Sequence, residues 1–265
     1  MDPRLVAFEQ LLNIMDELRE KCPWDKKQTL ETLRYLTIEE TYELSDAILE
    51  KDLEEVKKEL GDLMMHIAFY AKVGEELNAF NMQGIIEGIN EKLIRRHPHI
   101  YGDVKVANAD DVSQNWEKIK MGEGRTSVLS GVPNSLPAMI KAHRIQEKAR
   151  GIGFDWDEPS QVWAKVLEEQ QEMLDEVNNG KEHAKLEEEF GDYLFALVNY
   201  ARFINVNPED ALERGNRKFI RRFQFIEEKG KEAGMLIQNM TLAEMEEFWN
   251  QAKAEERLKS KKENH

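Results

Sequence analysis

The chain has 265 residues, enough for one or two domains with sizeable cores. Lys and Arg number 37 against 52 Asp and Glu, a formal net charge of −15, and that field argues against broad electrostatic capture of nucleic acid or anionic lipid. Cys22 is the only cysteine, which excludes an intramolecular disulfide and a Cys-rich zinc module. The opening Met1-Asp2-Pro3-Arg4 leads into an amphipathic pattern rather than a signal-peptide core, and no apolar run approaches the ~20 residues of a membrane span. A cytoplasmic protein with no membrane partner and no direct nucleic-acid contact is expected.

Only 15 glycines and 7 prolines punctuate the chain, which favours long helices. Leu5, Phe8, Leu12 and Met15 share one helical face, and Cys22-Pro23-Trp24-Asp25 breaks that helix. A second pattern covers about Thr29 to Glu50, with Leu33, Leu36, Thr41 or Tyr42, Leu44 and Ile48 as inward candidates. Asp52 is a natural N-cap for a third, which carries Leu53, Val56, Leu60, Leu63, Ile67 and Tyr70. A fourth runs from about Asn81 to Arg96 and stops before Pro98. Glycine, serine and proline then gather between Gly122 and Pro137, which predicts a linker. Pro137 fits a first helical position, and Gly151 and Gly153 close the helix that follows. Alternating β-branched segments are absent, so the fold class is all-α. The expected division is 1–121, a linker at 122–136, and 137–265.

The two halves repeat each other. Glu39-Glu40-Thr-Tyr-Glu43 matches Glu168-Glu169-Gln-Gln-Glu172 at an offset of 129, and Glu59-Leu-Gly61-Asp62 matches Glu189-Phe-Gly191-Asp192 at 130. Asn90 to Arg96 matches Asn216 to Arg222 at 126, and Trp116 matches Trp249 at 133. Four motifs in one order at a nearly constant offset point to a tandem duplication.

Glu169 and Glu172 share a helix face, as do Glu189 and Asp192 on the next helix. Antiparallel pairing of those helices brings four carboxylates together as an oxygen cage suited to Mg²⁺, with Mn²⁺ as a substitute. Glu40, Glu43, Glu59 and Asp62 form a second possible metal site in the first half. A solvated acidic face is the plainer alternative, since chance alone supplies roughly one such Glu pattern in a chain this acidic. Gly61 and Gly191 tilt the balance: each costs ~1 kcal/mol inside a helix, which suggests close approach by a neighbouring helix or a ligand. Lys165 and Lys185 each precede a proposed ligand by four residues, and Lys218 and Arg222 share a face, as suits a polyphosphate. Trp249 either stacks on a base or fills the core. The first half has Leu36 and Glu55 where the second has Lys165 and Lys185, so the second half is expected to be the better nucleotide site. His66, His97 and His99 lack a soft-ligand cluster, and no P-loop, dinucleotide fingerprint or nucleophile elbow occurs.

Over nearly its whole length the chain resembles the MazG-type nucleoside triphosphate pyrophosphohydrolases, in the long form with two tandem domains. The likeness rests on Cys22-Pro-Trp-Asp25, both acidic motif pairs, Arg95-Arg96-His97-Pro98-His99, the run from Pro133 to Trp156, and Asn216 to Phe223. Gln170-Gln171 departs from the usual pattern, at a position that touches packing more than ligation. The resemblance implies helical-bundle domains, a homodimer, and Mg²⁺-dependent hydrolysis of NTPs or dNTPs to monophosphate and pyrophosphate. It makes Glu169, Glu172, Glu189 and Asp192 the metal ligands. Lys165 to Glu169, Lys185 to Glu188, Lys218 to Arg222 (with Arg221) and Trp249 then line the nucleotide. Chemically, Glu168 or Glu188 could take the proton of a water attacking the α-phosphate. Two further readings stay open: a narrower dUTP/dCTP or phosphoribosyl-ATP specificity, and a nucleotide-sensing or protein-binding module without turnover.

Overall fold

The computed structural model describes residues 1–124, 127–180 and 182–263; for 109, 110, 113, 114, 117, 118 and 260–263 it describes the backbone alone. Among the described residues every regular element is a helix. The chain divides into two compact units, Met1–Ile119 and Lys120–His265.

In the first unit, α1 (Pro3–Lys21) starts on Asp2, whose side chain accepts from the Arg4 backbone N–H. After a short 3₁₀ turn at Asp25–Lys27, Thr29 and Thr32 exchange side-chain and backbone bonds as a capping box for α2 (Leu30–Glu50). Lys51, with φ 61°, turns the chain, and Asp52 then caps α3 (Leu53–Glu76) by accepting from Glu54 and Glu55 N–H. Asn81 caps α4 (Met82–Arg96) in the same way, and α5 (Pro98–Tyr101) and α6 (Ala109–Gly122) complete the unit. The caps at Asp2, Thr29, Asp52 and Asn81 each satisfy N–H groups that a helix start leaves orphaned.

The core of this unit is Met15 from α1, Leu33 from α2, and Ala68, Phe69 and Val73 from α3. Several expected inward residues lie outside it. Leu5, Tyr42, Ile48, Leu53, Leu60 and Ile67 are exposed, while Leu36, Leu44, Val56 and Leu63 are half-buried. The reason is the rotation of α3. Its buried stripe runs Glu59, His66, Phe69, Val73 and faces α1 and α2, so the apolar stripe through Leu53, Leu60 and Ile67 turns outward. Hydrophobicity marked the wrong face because two polar residues, Glu59 and His66, occupy the inner one.

The second unit repeats the plan with α7 (Ala138–Arg150), α8 (Pro159–Asn179) and α9 (His183–Phe203), followed by α10 (Pro208–Glu232) and α11 (Leu242–Glu263). Pro137 sits at the N-cap, one residue before the position expected for it. Gly151 ends α7, and Gly153 follows with φ 87°. Helices α8 and α9 form the most extensive pair in the unit, as α2 and α3 do in the first. The segment around Val128 is anchored to α7, because the buried Lys148 donates to the Val128 carbonyl at 3.2 Å.

Candidate active site

Pairing α8 with α9 places Glu169, Glu172 and Glu189 so that one oxygen from each lies within 4.8 Å of the others. In the first unit α2 and α3 do the same for Glu40, Glu43 and Glu59. Helix spacing explains the geometry. Residues three apart stack on one face, and each helix hairpin turns that face toward its partner. Glu169 and Glu59 are the deep members, 8 % and 1 % exposed, whereas Glu172 and Glu43 are open to solvent.

Crowded carboxylates leave an electrostatic signature. Burial, and then the Glu169 and Glu189 charges, raise the Glu172 carboxyl above the ordinary value. Burial and then Asp192 do the same to Glu189. In the first unit burial raises Glu40 and Glu43, with Asp62 and Glu59 respectively as the strongest charges acting on them. Asp192 and Asp62 therefore stand beside the triads rather than within them.

Each triad carries one lysine, but from opposite helices. On α8, Lys165 bonds Glu168 at 2.8 Å and Glu169 at 2.6 Å. In the first unit the matching position is Leu36, and Lys58 on α3 instead bonds Glu55 at 2.7 Å and Glu59 at 2.9 Å. That bond holds the Glu59 carboxyl below its ordinary value. The sequence signal for Lys58 was its place directly before a proposed ligand, where the second half has Glu188.

The remaining expected site residues are distributed as follows. Lys185 is exposed and faces Glu182 at 3.9 Å. Glu188 is exposed on α9 and Lys218 on α10. Arg222 pairs with Glu256 at 2.7 Å and lies over the Trp249 ring at 5.3 Å, with Arg221 3.7 Å from the same Glu256. Phe219 packs on Trp249 with ring centres 5.3 Å apart. These groups form a cationic and aromatic platform on α10 and α11, and none of them lines the cleft that holds Glu169. At Gly61 and Gly191 a Cβ would meet nothing within 4 Å, so the close approach of a neighbouring helix within the chain does not occur.

Beside the second triad lies a cleft of about 490 Å³ between α7, α8 and α9. Lys165, Glu169 and Asp192 border it, and its walls are mostly apolar. Phe154 and Trp156 stand exposed at its edge, in the loop between α7 and α8. That loop is held by Asp155, which accepts from Arg202 Nη1 at 2.7 Å and Nη2 at 2.5 Å. Arg202 also donates to Asn199 Oδ1 at 2.8 Å. Gln146 donates from Nε2 to the Phe195 carbonyl at 2.8 Å, which fixes the amide and leaves its buried Oε1 without a partner. Sequence reasoning missed Gln146, Asn199 and Arg202.

Two stretches of the chain, 28–101 and 157–225, match the MazG nucleotide pyrophosphohydrolase domain. Over 253 residues the chain is 42 % identical to the nucleoside triphosphate pyrophosphohydrolase/pyrophosphatase MazG of Thermotoga maritima, covering 94 % of this chain and 96 % of that protein. It is 41 % identical over 257 residues to the nucleoside triphosphate pyrophosphohydrolase of Escherichia coli K12, covering 94 % and 98 %. With the protein YabN of Bacillus subtilis it shares 47 % identity over 255 residues, which is 94 % of this chain and 52 % of YabN. Both carboxylate triads fall inside the matched stretches; Gln146 and Trp249 fall outside them.

Proposed function

This chain belongs to the MazG nucleotide pyrophosphohydrolase family, and from that we propose that its second unit hydrolyses nucleoside triphosphates at the α-phosphate, releasing nucleoside monophosphate and pyrophosphate with Mg²⁺ as cofactor. The observation that carries the reading is the convergence of Glu169, Glu172 and Glu189 within 4.8 Å, flanked by Lys165 and opening beside a cleft of ligand size.

The donor set fits the ion. Three carboxylates, two holding their protons more tightly than usual and one paired with Lys165, form a hard, oxygen-only group, which suits Mg²⁺ and, as a substitute, Mn²⁺. Glu169, Glu172, Glu189 and Asp192 would hold it, and bound there it supplies positive charge against the polyphosphate. Lys165 shares the deep carboxylate and offers its ammonium to a phosphate oxygen as negative charge redistributes. Glu168 and Glu188 flank the ligands, and one or the other takes the proton of the attacking water; Glu168 is oriented by its bond to Lys165. Lys218, Arg221, Arg222 and Trp249 are read as nucleotide contacts from the family resemblance. We also read the protein as a homodimer, supported by apolar side chains that α8 and α9 expose, among them Leu174, Val177, Phe190 and Leu194. The cytoplasm, where nucleoside triphosphates are held, is the compartment this reading expects.

The test is a product assay with purified protein, Mg²⁺ and each common NTP and dNTP, quantifying phosphate and pyrophosphate separately. Monophosphate with pyrophosphate is the expected result, lost in Glu172→Ala and largely kept in Glu43→Ala. Diphosphate with phosphate would overturn attack at the α-phosphate. Binding without cleavage would make the protein a nucleotide sensor instead.

A further inference from the structure

Residues 127–136 run into the Pro133-to-Trp156 motif, and no step of the carboxylate chemistry uses them. They fall within the second unit, which begins at Lys120, and they form turns rather than a helix. The Ser130 N–H donates to the Ser127 carbonyl at 3.0 Å, Val132 to Leu129 at 3.2 Å, and Leu136 to Pro133 at 3.3 Å. Short turns of this kind have no helical ladder to hold them, so their position depends on side-chain ties and packing. Two lysines of α7 supply ties. Lys141 Nζ donates to the Asn134 carbonyl at 2.6 Å, and Lys148 Nζ donates to the Val128 carbonyl at 3.2 Å.

Lys148 is the unusual member. It is 4 % exposed, and a lysine is rarely that deep, because an ammonium loses its hydration on burial. A methionine would fill a similar length without that cost. What the ammonium adds is a hold on main chain that lies outside the helices. The residue it holds has a place in the site. Val128 and its neighbour Leu129 line the cleft together with Ile145 and Ala149 of α7, and Lys165, Glu169 and Asp192 border the same cleft. Part of the wall of that cleft is therefore made of turns, and Lys148 ties them to α7.

We infer that Lys148 is a positioning residue for the proposed reaction: its ammonium fixes the Val128 carbonyl and so sets residues 127–136 as a wall that closes on a nucleoside triphosphate in the cleft. It acts through Val128 and Leu129, so its effect falls on substrate binding rather than on the chemical step. This rests on the pyrophosphohydrolase reading and adds to it the segment that closes the substrate in.

The test uses the full chain. It measures kcat and KM for ATP with Mg²⁺, and amide hydrogen exchange over residues 127–136 with and without Mg²⁺ and α,β-methylene-ATP. Wild type, Lys148→Met, Leu129→Ser and the double variant are compared. Lys148→Met should raise KM roughly tenfold and keep kcat within about twofold of wild type, the pattern of binding lost without loss of contacts special to the transition state. Leu129→Ser should raise KM roughly fivefold, in line with one half-covered leucine withdrawn from the cleft. The double variant should match Lys148→Met alone, because both changes act through one wall and do not add. Exchange over 127–136 should slow on ligand in wild type, and in Lys148→Met it should run faster than wild type before ligand is added. An unchanged KM in folded Lys148→Met, a fall in its kcat alone, fully additive effects, or exchange that ligand does not alter each overturns the inference, while turnover by wild type keeps the pyrophosphohydrolase reading standing. Leu129 is 44 % exposed, so where Lys148→Met fails to fold by circular dichroism, Leu129→Ser and the wild-type exchange decide. An unchanged KM in Leu129→Ser then overturns the inference. No turnover of ATP or any other nucleoside triphosphate by wild type removes both.

Discussion

Glu172 and Lys165 sit at opposite ends of one electrostatic problem. A carboxyl raised in the folded state binds its proton more tightly there than in the unfolded chain. Its contribution to stability is thus greatest below the unfolded value and is lost as pH rises through the folded one. At neutral pH without a cation, the triad weakens the fold that presents it. Glu172→Gln should therefore raise the melting temperature of the ion-free protein near pH 7 while lowering kcat about 10²-fold or more, since one donor to the proposed ion is gone. A scan with and without Mg²⁺ checks this; an ion-free variant that melts below wild type would contradict it. Lys165 relieves the same repulsion by binding Glu168 and Glu169. Lys165→Met should cost only about 0.5 kcal/mol, because the pair is partly solvated, yet lower kcat/KM by about 10²-fold. Lys58→Met, at the corresponding task in the first unit, should leave turnover near wild type. Chemical denaturation and steady-state kinetics on the two variants separate the roles.

Between elements, the loop that carries Phe154 and Trp156 is tied to α9 by a part-buried ion pair. Arg202 from α9 is about one-tenth exposed and forks onto Asp155 with bonds of 2.7 and 2.5 Å. Asp155→Ala leaves a guanidinium whose one remaining acceptor among the described residues is Asn199, in a poorly solvated place, and should cost about 3 kcal/mol of unfolding free energy. Urea denaturation reads that loss, and a cost below 1 kcal/mol would mean that the pair acts as a solvated one. This tie was only half legible in the sequence. Asp155 stands in a recognisable motif, but nothing local marks Arg202 as its partner, because the contact joins residues 47 apart. Capping, by contrast, is local chemistry, so Thr29, Asp52 and Asn81 marked their helix starts directly. The carboxylates were legible for the same reason: three-residue spacing fixes a face, and duplication says the face matters. Which way α3 rotates is a tertiary outcome, and there Glu59 and His66 displaced the apolar stripe that periodicity favoured. Asn199 was within reach by a stricter comparison of the halves, as a polar residue opposite a core phenylalanine. Gln146 was not, since no motif aligns α7 with α1.

Across the whole molecule, the two repeats keep the same carboxylate triad and differ in what lies beside it. The second unit keeps a cleft beside its triad. The first buries Met15 and Phe69 in its core and adds a polar lock, in which Thr37 Oγ1 meets His66 Nδ1 and Tyr70 OH, both at 2.8 Å. In the second unit the matching positions are Val166, Ala196 and Tyr200, so the lock belongs to the first unit alone. Burial lowers the His66 pKa below its ordinary value, opposed by the Asp62 charge, so the imidazole is neutral in the folded protein at pH 7. The sign follows from linkage: the unfolded chain binds the proton more readily, so stability is full above the unfolded value and falls as pH drops from there through the lower folded one. His66→Gln should flatten the part of the profile that falls away below about pH 6.5, measured by denaturation at a series of pH values, without altering turnover. The carboxylates of the first unit extend the argument. Glu59 is buried with Oε2 unpartnered, which suits retained cation binding. Glu59→Gln should then remove one class of Mn²⁺ site in calorimetric titration while kcat/KM stays within about twofold of wild type, whereas Glu169→Gln removes a site and turnover together. Equal loss of activity in both variants would show two working centres, and the packing of Met15 against Phe69 would need a different explanation.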